Sequence, residues 1–173
     1  MAASSHEFTG DIGALDRPSF LASHRALAVC TREFGKLSDG IVEGVETLAA
    51  SGSVEKPTVR SMPGRCIVQL GPVALTIAWL RSTLDSVADG QLLVMVWRGS
   101  VAPKMARLPE DQAGRGMAAA VPVALHEETL AAAGNDEASW CWRLGEDVQD
   151  FTSTELADRC VQLLREAYAK SAS

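Results

Sequence analysis

The chain lacks the residue patterns that announce a chemistry by themselves. Its three histidines, His6, His24 and His126, lie too far apart for metal-ligand spacing, and His126-Glu127-Glu128 is not the H-E-x-x-H arrangement. Four cysteines, Cys30, Cys66, Cys141 and Cys160, include no C-x-x-C pair. No G-x-S-x-G occurs, and the serines gather in the tails and at helix caps. The paired carboxylates Glu110-Asp111, Glu127-Glu128 and Glu146-Asp147 fall in segments that read as loops. Solvated loop carboxylates do not have the dry surroundings that raise a general acid's pKa. No catalytic residue, metal or cofactor is expected, and the balance is against an enzyme.

Long apolar runs are also missing. The longest, Met117–Leu125, contains Pro122 and is far short of the roughly 20 residues needed to cross a bilayer. Met1–Arg17 has neither a basic start nor an apolar core, so no secretory signal is read there. A cytoplasmic protein with its cysteines as buried free thiols is the expectation. Lysine is scarce, 4 against 12 arginines, and with 26 alanines this points to a GC-rich bacterial genome. Gly114-Arg115-Gly116-Met117-Ala118-Ala119 matches G-x-G-x-x-A formally, but no strand precedes it, so it is not read as a phosphate loop.

What the 173 residues do contain fits one α+β domain, with 47% apolar and 22% charged residues. Residues 1–17 mix Ser, Gly and acidic residues without a period and read as a flexible N-terminal tail; the domain spans 18–173. Over 18–51, Phe20, Leu27, Phe34, Ile41 and Leu48 recur every seven residues, with Cys30 and Leu37 filling the stripe of an amphipathic helix. Such a helix would be about 50 Å long and would overhang strands of eight to ten residues. A break at Ser38-Asp39-Gly40 is therefore favoured over an overhang that meets a partner.

From residue 57 the period switches to two, giving a β-meander over 57–99: Thr58–Met62, Arg65–Leu70, Val73–Ser82 and Leu92–Arg98, with short turns that imply antiparallel neighbours. Residues 100–116 read as a long loop. Further strands are expected over 118–143: Ala118–Leu125 at an edge because of Pro122, then Ala138–Arg143 with Trp140 and Trp142 on one face. A C-terminal helix over 152–170 opens with the capping box Thr152-Ser153-Thr154-Glu155, and Phe151 and Leu156 form a hydrophobic staple. The expected fold is an antiparallel sheet of four to six strands with a long N-terminal helix and a C-terminal helix packed on it. Because the central strands are apolar on both sides, both faces should be covered. Either each helix takes one face, or both take the same face and a second subunit takes the other.

The net charge of −6 opposes nucleic-acid and membrane-surface binding, but it is unevenly spread. Residues 56–108 carry net +5, between flanks of −4 and −7. All four tryptophans fall on expected strands, and alternation puts Trp79 and Arg81 on one face. Two functions follow. The first is association, as a homodimer or through adaptor- or chaperone-like binding of a protein partner. The small acidic helix–sheet–helix plan is similar in architecture to bacterial secretion chaperones, with no shared motif. The second is binding of, or action on, a small anionic ligand at a surface made by Trp79, Arg81, Arg98, Trp142 and Arg143, with guanidinium–indole stacking and charge holding the anion.

Overall fold

A computed structural model describes residues 19–81, 84–101, 121–145 and 149–171. The tail over 1–17, nearly all of the 100–116 loop and the glycine motif at 114–119 lie outside the described residues. A single 3-10 turn, Phe20–Ala22, leads into helix α1, His24–Ala50. Seven strands follow: β1 Thr58–Met62, β2 Arg65–Leu70, β3 Val73–Leu80, β4 Gln91–Arg98, β5 Val123–Ala133, β6 Cys141–Leu144 and β7 Gln149–Phe151. Helix α2, Ser153–Ser171, closes the described chain.

All seven strands form one antiparallel sheet in the order β1-β2-β3-β4-β5-β6-β7, an uninterrupted meander. The α+β class and the helix–sheet–helix order agree with the sequence, but the sheet has seven strands and not four to six. One added strand is β7, three residues whose pattern is too short to show a period. β6 starts at Cys141 and not at Ala138, so Trp140 lies just before it, and β5 also differs, since it was expected to stop at Leu125 on an edge. It runs to Ala133 between β4 and β6. Pro122 precedes the strand, so its missing N–H removes no ladder hydrogen bond, and a central position is open to the residues after it.

Helix α1 is continuous, which corrects the break expected at Ser38-Asp39-Gly40. Ser23 starts it by accepting a hydrogen bond from the Ala26 amide at 3.2 Å, and Gly52, at φ 73°, lies just beyond its end. With 27 residues it is about 40 Å long. Gly40 and Gly44 serve helix packing. A Cβ on Gly40 would lie 2.9 Å from the Ala157 Cβ, and one on Gly44 would lie 2.8 Å from Val161 Cγ2, so both glycines let α1 and α2 approach closely.

Both helices pack on the same face of the sheet. Val29, Leu37, Ile41 and Val45 of α1 and Leu156, Cys160 and Leu164 of α2 share one core with Val68, Leu75, Ile77, Leu92, Val94 and Leu130. Trp140 and Trp142 join it from the β6 side, where their rings meet edge to face at 5.7 Å between centroids. The capping box is formed: the Thr152 amide donates to Glu155 Oε2 at 2.8 Å, and the Glu155 amide donates to Thr152 Oγ1 at 3.2 Å. Phe151 and Leu156 are both buried, as the staple requires. Among the described residues, no helix is long and apolar enough to cross a membrane.

Candidate functional site

The five residues expected to form one anion surface go to three different places. Trp79 and Arg81 are together, lining a cavity of about 200 Å³ between α1 and the β1–β2 turn, with Leu27, Phe34 and Pro63 as its apolar walls. The Trp79 indole lies over Gly90, where a Cβ would come within 2.2 Å of the ring. Cys30 also lines this cavity, but burial pushes its thiol up to about 12 against the opposing pull of Arg81. A thiol at that pKa is not a nucleophile near neutral pH.

Trp142 adjoins Trp79, with ring centroids 5.6 Å apart edge to face, but it is fully buried and belongs to the core. Its Nε1 donates to Ser153 Oγ at 3.0 Å, Ser153 donates to Glu33 Oε2 at 2.9 Å, and Lys36 Nζ donates to Glu33 Oε1 at 2.8 Å. This polar chain ties β6, α2 and α1 together. Arg143 lies on the opposite face of the sheet, where its guanidinium makes two 2.7 Å hydrogen bonds with the Asp150 carboxylate. Trp97 is on that opposite face as well, since its partner in β3 is Ala74 and not one of the residues facing the helices.

Arg98 lies at the other end of the sheet from Arg81. It lines a cavity of about 300 Å³ between α2 and the β4–β5 pair. Val96, Leu125, Leu163 and Ala167 make the apolar part of this cavity, and His126, Glu166 and Lys170 add charge or polarity. A β-bulge shapes it: Val96 pairs with His126 and Trp97 with Ala124, leaving Leu125 as the extra residue. Bulges re-aim side chains, and here Leu125 and His126, neighbours in sequence, both line the cavity.

Beneath this cavity is a cluster that sequence reasoning missed. Glu128 pairs with Arg159 of α2, and His126 Nε2 lies 2.8 Å from Glu128 Oε1. Burial pushes the Glu128 carboxyl up, but the Arg159 guanidinium bonded to it and the adjacent His126 outweigh it and hold the group below the usual carboxylate range. Arg159 also sits over the Phe151 ring at 5.6 Å. The sequence pattern puts Glu127-Glu128 in a loop, whereas both lie within β5. Alternation back from Leu130 and Ala132 was the available signal, since it puts Glu128 and His126 on their inward face.

The face of the sheet away from the helices is not covered by any described element. Ile67, Ala74, Thr76 and Ala78 are buried there. Leu93, Met95 and Trp97 are half-buried, while Met62 and Leu80 are 47% and 48% exposed. Arg60 and Arg65 flank this apolar area on β1 and β2, and Glu127 flanks it on β5. Among the described residues no group of three or more His, Cys, Asp or Glu side chains is placed to hold a metal ion. Comparison with known proteins finds no matching family model, and no curated protein or solved structure is significantly similar to the chain.

Proposed function

We propose that the protein acts by association, and that its partner is a second copy of itself, packed sheet against sheet. The observation that carries the reading is the apolar area on the face opposite both helices, running from Met62 across Leu80 to Leu93, Met95 and Trp97. A sheet wet on one face normally alternates apolar with polar residues. This one keeps apolar residues on both sides of β3 and β4. Contiguous exposed apolar patches rimmed by charge mark interaction surfaces.

Charge favours a second copy as the occupant. A twofold axis along the strands, between β3 and β4, sets β2 of one copy against β5 of the other. Arg65 of each copy then faces the side that carries Glu127 in the other, and the contact is self-complementary. Native mass spectrometry and sedimentation at tens of micromolar test this, with a dimer expected. Met95→Lys should give a folded monomer, because Met95 points away from the core. A wild-type protein that stays monomeric at that concentration overturns the reading.

A further inference from the structure

The geometry points to a ligand site on the helix side of the sheet: the cavity between α2 and the β4–β5 bulge binds the carboxylate end of a small apolar acid. Two cations reach this cavity from different elements, Arg98 from β4 and Lys170 from the last turn of α2. Among the described residues neither has a carboxylate within ion-pair distance, whereas Arg25, Arg32, Lys36, Arg143 and Arg159 all do. An arginine and a lysine without a described carboxylate partner, converging on one concavity, make an arrangement suited to an anion.

The rest of the lining selects among anions. Val96, Leu125, Leu163 and Ala167 offer an apolar wall, and Val123, paired with Arg98 and 57% exposed, extends it outwards. Ligand pockets combine an apolar lining with a few polar groups in this way, and about 300 Å³ is the lower end of their size range. Glu166 in the lining and the carbonyl end of α2 both oppose negative charge, so a monoanion is favoured over a phosphate dianion. A carboxylate with a short hydrocarbon body meets both conditions. The Trp79–Arg81 cavity is smaller and has a single cation among its described lining residues, which makes it the natural control.

Isothermal titration with octanoate below its micellar concentration tests the site, with octanol and inorganic phosphate as the probes that keep only the body or only the charge. Octanoate should bind saturably at one per chain, and the other two at least about tenfold more weakly, the loss expected for one charge-assisted contact. Arg98→Gln with Lys170→Gln should weaken octanoate by about tenfold or more. Both side chains are exposed, so the fold should survive, and an unchanged thermal transition checks that. Arg81→Gln and Met95→Lys should bind as wild type, which separates this site from the other cavity and from self-association. Absence of saturable binding, equal binding of octanol or phosphate, or a loss specific to Arg81→Gln overturns the proposal.

Discussion

Glu128 shows what one strand residue does when its face is the inner one. Its side chain is 9% exposed and is held ionised by Arg159 and His126. Removing the guanidinium by Arg159→Ala leaves a buried carboxylate with His126 alone. About 1–3 kcal/mol of stability should be lost, read as a lower denaturant midpoint at unchanged slope. The pH dependence has a definite sign. A carboxyl whose pKa is depressed on folding stabilises above its unfolded pKa, and that contribution is lost as pH falls through the folded value. Wild type should therefore weaken below about pH 5, and Glu128→Gln should flatten that part of the profile while lowering stability at neutral pH. The Trp142–Ser153–Glu33 chain makes a similar case. Ser153→Ala leaves a buried indole N–H without its acceptor and should cost about 1–3 kcal/mol. Neither cluster was open to sequence reasoning in full. Alternation gives the face of Glu128 or Trp142, but which helix residue meets it depends on how the helices cross the sheet.

At the scale of elements, boundaries followed local signals and failed where tertiary packing overrode them. β1 and β2 match their expected bounds, because Pro63-Gly64 and Gly71-Pro72 punctuate them and Gly64 and Gly71 adopt positive φ. Helix α2 begins where its capping box puts it. The false break in α1 came from reading Gly40 as a breaker, when its missing side chain is what admits Ala157. That inversion is testable. Gly40→Ala would gain about 1 kcal/mol of helix propensity in isolation. The 2.9 Å approach to the Ala157 Cβ instead predicts a net loss of about 1–3 kcal/mol, because a Cβ has no rotamer by which to move aside. Adding Ala157→Gly removes the obstructing atom. The double mutant should be more stable than the sum of the single changes allows, and a thermodynamic cycle by chemical denaturation measures that coupling.

For the whole molecule, the decisive fact is that both helices lie on one face. Apolar residues on both sides of β3 and β4 were readable in the sequence, and so was the need for a cover. Which side each helix takes was not, because a meander's connections do not say where the chain's two ends return. With α1 and α2 together, no described element covers the Leu93–Met95–Trp97 side, which the proposed association gives to another occupant. If that occupant is a second copy that binds only the folded chain, stability becomes concentration-dependent by mass action. The melting temperature should fall on serial dilution, and Met95→Lys should remove the dependence. The twofold arrangement adds a stricter expectation. Arg65→Glu puts like charges on facing strands, two residues apart along them, twice per dimer and should weaken association, whereas Arg65→Glu with Glu127→Arg restores opposite signs and should recover it. Both positions are exposed on the outer face, so monomer stability should change little in either variant. Sedimentation of the two variants at equal concentration decides the matter. Recovery in the charge swap supports the sheet-on-sheet twofold, and two equally dissociated variants would rule that arrangement out.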